Sequence, residues 1–315
     1  MRPMIVVAGE ALIDLVVQPD GTVSAHPGGG PYTTARAIGR LGVPVAFLGR
    51  ISDDVFGQRL ARGLDEAGVD RRLSVPTTDP TTLAVAELDG GGSARYRFYL
   101  DGTSAPGLRA DDLPPLPRDV SAVHVGTLGL VLEPTATTLE SLVLDASDPT
   151  LVIVDVNARP AALRDPDRWR ARIERLATRA DVVKASLEDL AVLAPGRDPL
   201  DAARDLVARG VRVVLATAGG DPARIVTRDR VTAVAVPMVE VVDTVGAGDA
   251  FGGGFLAAWL AEGRGRPELD DADALRSAAG FAVVVAALAC TRPGADPPTR
   301  AEVTAWAGAG YPSRP

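Results

Sequence analysis

The segment DTVGAGDAF, Asp243 to Phe251, places a carboxylate directly after a glycine-rich turn. It follows the strand-like VEVV and opens a long apolar stretch, so its glycines are expected where a strand hands over to a helix. At such a point the backbone N–H groups of Gly246, Ala247 and Gly248 lack intrahelical partners and, with the helix dipole, form a site for an anion such as a phosphoryl group. Asp249 would then take the proton of an attacking hydroxyl while the amides hold the charge of the transferred group. A carboxylate at a helix start is expected to have a lowered pKa, a weak base that suffices when proton transfer comes late. The competing reading is that Asp243 and Thr244 only cap the helix and Asp249 only favours its dipole. Against it stand Gly252, Gly253 and Gly254, each costing about 1 kcal/mol relative to alanine in a helix interior. Close packing of the kind a nucleotide cleft imposes is the expected reason for keeping them.

Other polar residues fall after strand-like runs. Asp14 follows the first of these in GEALID, and Gly28, Gly29 and Gly30 precede the helix-like TTARAIGRLG. Asn157 and Arg159 follow LVIVDV, with side chains suited to hydroxyl and phosphate recognition. Lys184, Ser186, Glu188 and Asp189 follow the next run, and Thr217 with Gly219 the one after. In an open parallel sheet the ligand crevice lies outside the carboxyl ends of the strands, where all these residues fall. Asp14 could equally serve a turn, and Glu188 and Asp189 could equally be first-turn helix acids.

The elements that must position them are short β-branched runs at 4–8, 45–49, 122–125, 151–156, 181–184 and 211–217, alternating with amphipathic stretches at 33–41, 54–67, 134–145, 200–209, 247–262 and 271–289. Buried strands separated by helices predict a parallel sheet. In the second helix Phe56, Leu60 and Leu64 share one face, with Ser52 as the candidate cap. Two segments break the rhythm: 15–25, turning at QPDG, and 81–99, where TLAVAEL and SARYRFYL flank DGGG. They read as hairpin material projecting from the sheet, either surface decoration or a lid.

Composition narrows the chemistry further. The chain has 315 residues and a formal net charge of −8 without a basic run, which argues against a nucleic-acid partner. Cys290 is the single cysteine, so no internal disulfide or cysteine zinc cage is possible, and His26 and His124 are the only histidines. The wholly apolar run 281–290 is shorter than the roughly 18 residues of a membrane span and reads as a buried helix. With no signal-peptide pattern at MRPMIVVAGE, a cytoplasmic location is expected. Lys184 is the only lysine and lies in VVKAS, so the GxxxxGK[ST] phosphate loop is excluded. GAGDAFGGG has the wrong spacing for a dinucleotide-binding turn.

Together these residues resemble the ribokinase-like carbohydrate kinases, also called the PfkB family, over essentially the whole chain. DTVGAGDAF resembles the family's C-terminal motif without a mismatch, GGGPYTTARAIGRLG its N-terminal pattern, and RYRFYLDGTSAPGL the lid and lid exit of fructokinase-like and ketodeoxygluconate-kinase-like members. The resemblance implies an α/β fold, a three-layer α/β/α sandwich with a mostly parallel central sheet, as one domain over 1–315 with a β lid from about 15–25 and 81–100. It implies ATP and Mg2+, with K+ or another monovalent cation in many members. Asp249 would be the base and Gly246, Ala247 and Gly248 the anion hole. Asp14, Gly29, Gly30, Thr33, Asn157 and Arg159 would border the sugar and transferred phosphate, with Arg97 and Phe98 from the lid. Lys184, Ser186, Thr217 and Gly219 would meet the nucleotide, and Asp189 the magnesium, through water.

Four departures bear on specificity: Thr33 replaces a usual sugar-contacting asparagine, Ser186 and Asp189 replace an Asn and a Glu, Pro222 a common glycine, and Val283 an adenine-side asparagine. The expected reaction is transfer of the γ-phosphoryl group of ATP to a free sugar, fructose first and 2-keto-3-deoxygluconate second. Ribokinase or nucleoside kinase activity is an alternative, for which Tyr32, Phe98 and Tyr99 are the available stacking residues, and a silent sugar- or nucleotide-binding regulator is another. A homodimer through the lid is compatible with the family.

Overall fold

Strands such as MIVVA and LVIVD are apolar at nearly every position because both of their faces are covered by helices. The computed structural model describes residues 4–88, 94–117 and 119–308. The first half runs β1 (Met4–Ala8), β2 (Leu12–Val17), β3 (Val23–Gly28), α1 (Gly30–Arg40), β4 (Val45–Leu48), β5 (Arg50–Ser52), α2 (Val55–Glu66), β6 (Val75–Thr77), β7 (Leu83–Leu88) and β8 (Ala94–Tyr99). It continues through β9 (Val120–Gly126), α3 (Thr135–Leu144), β10 (Leu151–Asp155), α4 (Pro166–Leu176), β11 (Val182–Ser186), α5 (Leu187–Leu193) and α6 (Pro199–Ala208). The last part holds β12 (Val213–Ala218), β13 (Asp221–Val226), β14 (Val231–Val234), α7 (Ala247–Ala261), α8 (Ala272–Ala289) and α9 (Arg300–Gly308).

Eight strands form the central sheet in the order β14-β13-β12-β11-β10-β9-β1-β4, parallel from β12 to β4 and antiparallel at β13 and β14. Alternation along each strand divides the core. Ile5, Val7, Ile153, Val213 and Leu215 join the layer of α1, α2, α7 and α8, while Val6, Ala8, Val152, Val154 and Val214 join that of α3, α4 and α6. The architecture is the three-layer, mostly parallel sandwich that the sequence implied.

Segments 15–25 and 81–99 fall in a separate four-stranded sheet, β3-β2-β7-β8, with β2 and β7 parallel. The QPDG turn closes through Gln18 N–H to Thr22 O and Gly21 N–H to Gln18 O, with Gly21 at φ 84°. The expected DGGG turn lies outside the described residues.

One expectation changes. Asp54, not Ser52, caps α2: its carboxylate accepts from Gly57 N–H at 2.7 Å, while Ser52 only accepts from Asp54 N–H. The 281–290 run belongs to an 18-residue helix apolar and long enough to cross a membrane by composition, yet it packs against α7 in the core. Val283 lies buried in that core.

Candidate active site at the start of α7

The helix that carries Asp249 begins on an uncapped turn. Gly246 precedes α7 in the left-handed conformation, φ 77°, with no side-chain cap; a Cβ there would also meet Ala295 Cβ at 2.7 Å. Asp243, which could have capped the helix, instead accepts from Val245 N–H and Gly294 N–H. The N–H groups of Gly246, Gly248 and Asp249 have no hydrogen-bond partner among the described residues, whereas Ala247 N–H turns back to Thr244 O at 3.2 Å. The opening for an anion therefore rests on Gly246 and Gly248 with Asp249's own amide, and Ala247 is partly engaged.

Asp249 is only 7% exposed. Burial pushes its pKa up, opposed by the charges of Lys184 and Arg159. The lowered value expected from the helix dipole is overturned because desolvation outweighs the dipole here, and the carboxylate becomes a better base. Asn157 Nδ2 donates to Asp249 Oδ1 at 3.2 Å and to Thr127 Oγ1 at 3.1 Å. Asn157 and Thr127 are the two described non-glycine residues with positive φ, 28° and 55°. Both sit just past the carboxyl ends of β10 and β9, and Asn157 links the Thr127 hydroxyl to the Asp249 carboxylate. Arg159 donates to Asn157 Oδ1 at 2.6 Å, completing a chain from cation to amide to carboxylate.

The glycine loop after β3 lies across this group. A Cβ on Gly30 would fall 2.2 Å from Thr127 Oγ1 and 3.0 Å from Asp249 Oδ1, and one on Gly28 would fall 1.9 Å from Asp14 Oδ2. Gly29, at φ 103°, would meet Glu10 O at 2.7 Å. The loop is glycine because the Asp14 carboxylate, the Glu10 carbonyl and the Thr127 hydroxyl occupy the space of its side chains. Asp14 accepts no hydrogen bond from the described residues, and burial raises its pKa to about 7 against the pull of Arg159. Thr33 is buried with its hydroxyl unpartnered, its methyl against Gly246. Glu10, which sequence reasoning passed over, ties the loop down: it accepts from Gly30 N–H at 3.1 Å and Gly129 N–H at 2.8 Å, and burial raises its pKa to about 8.

The nucleotide and metal assignments fare differently. Lys184 does not reach an open surface; it is buried, 3.0 Å from Asp155. Ser186 and Asp189 form a reciprocal capping box at α5, and Asp189 also accepts from Ala158 N–H, so both its oxygens are taken by backbone amides. No group of three His, Cys, Asp or Glu side chains able to hold a metal exists among the described residues. Thr217 and Gly219 end β12 on an open edge, where a Cβ on Gly219 would meet nothing within 4 Å. Pro222 sits at the register shift between β12 and β13, where no ladder bond is asked of it.

Strand parity decides the lid. His26, Asp14, Ala84 and Phe98 stand directly across from one another, so they share a face, and Tyr96 stacks on Phe98 at 6.5 Å on that same face. Arg97 belongs to the opposite face, opposite Val85, and pairs with Glu87. It points away from Asp14. Phe98 packs against the cluster that holds Leu12, Ala84 and Leu128, and Tyr96, missed in the sequence, has its hydroxyl pKa raised by burial and by the charge of Asp14, against Arg159. Period-two counting from Asp14 would have found it. Tyr32 is in the core with its hydroxyl on Leu60 O, and the triple glycine serves helix packing: Gly253 admits Ala37 and Gly254 admits Val285.

The sequence pattern of the pfkB family carbohydrate kinase matches residues 2–302. The chain belongs to that family. A fructokinase of Rhizobium leguminosarum bv. trifolii is 38% identical over 259 residues, 81% of this chain and 79% of the relative. Among solved structures, a fructokinase of Xylella fastidiosa with bound ATP superposes with a TM-score of 0.90 at 29% identity, covering 98% of this chain and 99% of that one. A Vibrio cholerae O395 fructokinase double mutant with fructose, ADP and potassium ion bound gives 0.84 at 27% identity, covering 96% and 97%. The pfkB fold and the fructokinase-like character of this chain thus agree with the sequence reading.

Proposed function

We propose that the protein transfers the γ-phosphoryl group of ATP to a hydroxyl of a free hexose, fructose first. The observation that carries the reading is a buried carboxylate, Asp249, beside unpaired helix-start amides and within a chain of Asn157 and Arg159. Asp14 accepts hydroxyls of the sugar, and the unpartnered Thr33 hydroxyl supplies a further polar contact. Asp249 takes the hydroxyl proton as the sugar oxygen bonds to phosphorus and the bond to ADP breaks, and the amides of Gly246 and Gly248 receive the charge of the moving group. ATP and fructose are the ligands of the structural relatives from Xylella and Vibrio.

Magnesium enters with the ATP phosphates as part of the substrate, since Asp189 is committed to backbone amides and the described residues build no cage of their own. Potassium activation is proposed from the bound potassium of the Vibrio relative. Exposed Val23, Tyr96 and Tyr99 on the outer lid strands support pairing of two lids in a homodimer. No segment or motif suggests nucleic acid as a partner, and we place the enzyme in the cytoplasm.

The test follows ADP release with MgATP against hexoses, pentoses, keto-deoxy sugar acids and nucleosides. Turnover with fructose is expected, and kcat of Asp249→Asn should fall by about 10²–10⁴-fold. Absence of turnover on every acceptor, or a variant as active as the parent, overturns the mechanism. Preference for a keto-deoxy sugar acid or a nucleoside overturns only the choice of fructose.

A further inference from the structure

The mechanism leaves one buried ionic pair unused. Lys184 on β11 and Asp155 on β10 face α7, 4% and 1% exposed, with Nζ 3.1 and 3.0 Å from the two carboxylate oxygens. Glycine makes room beside each member, Gly248 at the start of α7 for the lysine and Gly126 at the end of β9 beside Asp155. A Cβ on Gly248 would fall 2.7 Å from Lys184 Nζ, and one on Gly126 would fall 2.7 Å from Asp155 Cβ and 2.6 Å from its carbonyl oxygen. The ammonium thus lies against the backbone that immediately precedes the base. We propose that Lys184 and Asp155 are a positioning pair that sets the ionisation of Asp249, the lysine favouring its charged form and the aspartate moderating the lysine. This rests on Asp249 as the base.

Charge counting supports the division. The groups that face this space are Asp155 from β10, Lys184 from β11, Asp189 from α5, Asp249 from α7, Arg159 from the loop after β10 and, beyond Lys184, His124 from β9. Glu10 and Asp14 feel Asp249 from the glycine-loop side. His124 is buried with both ring nitrogens unpartnered, and burial holds it neutral. Three carboxylates therefore share two cations, and Lys184 is the only fully enclosed one. A buried charge without its partner shifts its protonation instead of staying ionised. Losing the lysine leaves Asp249 and Asp155 to share Arg159; losing Asp155 gives the whole ammonium to Asp249.

Opposite signs make the test. With aspartate labelled at 13Cγ, the resonance that vanishes in Asp249→Asn reports the base directly, without turnover. In Lys184→Met its titration midpoint should rise by about 1–3 pH units, and in Asp155→Asn it should fall by about 1 unit. Lys184→Arg should stay near the parent. Once an acceptor is known, the acid limb of kcat should follow the same directions while KM for ATP changes less than kcat. If a variant fails to fold, Gly248→Ala, which crowds Nζ without removing a charge, should still move the midpoint upward. Midpoints that stay within 0.3 unit, a cut-off of about 0.4 kcal/mol, or that move the same way in both variants overturn the proposal. A parent inactive on fructose but active on another acceptor, with the expected shifts, would fault the assigned acceptor alone.

Discussion

The two sides of Asp249 are built to different tolerances. On the acceptor side, Gly28, Gly29 and Gly30 run so close to Asp14, Glu10, Thr127 and Asp249 that a single methyl group would overlap at 1.9 to 3.0 Å. On the opposite side, Gly219 and Gly220 end β12 with nothing within 4 Å, and Met238, Val241, Val242 and Val245 are exposed on the segment leading into α7. One wall has no spare room between its glycines and their neighbours, and the other offers apolar surface for a ligand to cover. Under the proposed function, discrimination among sugars by shape would fall to the crowded wall, and the open edge would contribute mainly burial.

The sharpest way to break that contrast is Gly30→Ala. The added carbon would collide with Thr127 and crowd Asp249, and a displacement near 1 Å at the base should lower kcat about 100-fold, read in steady-state kinetics with the fold checked by circular dichroism. An alanine tolerated there would mean the wall yields.

Asp14→Asn should act next. The parent's KM for sugar should improve as pH rises through about 7, where the carboxylate ionises, while the variant's KM is at least tenfold higher, about 1.4 kcal/mol of lost binding, and flat with pH. Stability runs the other way. The folded value near 7 lies above the ordinary 3.8, so the native state holds the extra proton; the stability this proton gives is present below pH 3.8 and is lost as pH rises through 7. Above pH 7 the asparagine variant should therefore melt a few degrees higher, roughly what 1 kcal/mol gives a domain of this size.

Gly219→Ala should cost only about 1–2 kcal/mol for its left-handed backbone and change kcat/KM for ATP by less than about threefold, a step of roughly 0.7 kcal/mol. Smallest of all, Arg97→Ala removes a half-exposed pair on the far face of the lid, so it should shift stability by under about 1 kcal/mol and leave sugar KM unchanged. A large effect of Arg97→Ala on KM would show that the lid turns its other face inward.

What the sequence made legible follows physical range. Central strands and their helices could be read because they are fully apolar or regularly amphipathic, and DTVGAGDAF because turn, free amides and carboxylate are local to nine residues. Helix α4 escaped although Asp165 caps it, Pro166 opens it and Trp169, Ile173 and Leu176 bury one face, since its many arginines mask the apolar period. Residues whose partners lie far along the chain were not legible. Glu10 meets a glycine 119 positions away, and Asn157 reaches Asp249 across 92. The partner of Lys184 is hidden for the same reason, since Asp155 stands opposite it on the neighbouring strand, 29 positions away. Arg97 failed on parity, since a one-residue step in a strand changes its face.

The glycines inside α7 carry a mechanical consequence. With Gly253 against α1 and Gly254 against α8, the helix is wedged on two sides, backbone to side chain, and has no room to slide. The base and its amides form the fixed jaw of a vice. Under the proposed mechanism, closure around the reactants would have to come from the four-stranded sheet, which joins the body through short connections before β2, after β3, before β7 and after β8. Under the proposed mechanism the fixed jaw holds Asp249 and the four-stranded sheet holds Asp14, so a substitution on that sheet should change the preferred sugar without disturbing the alignment of the transferred group.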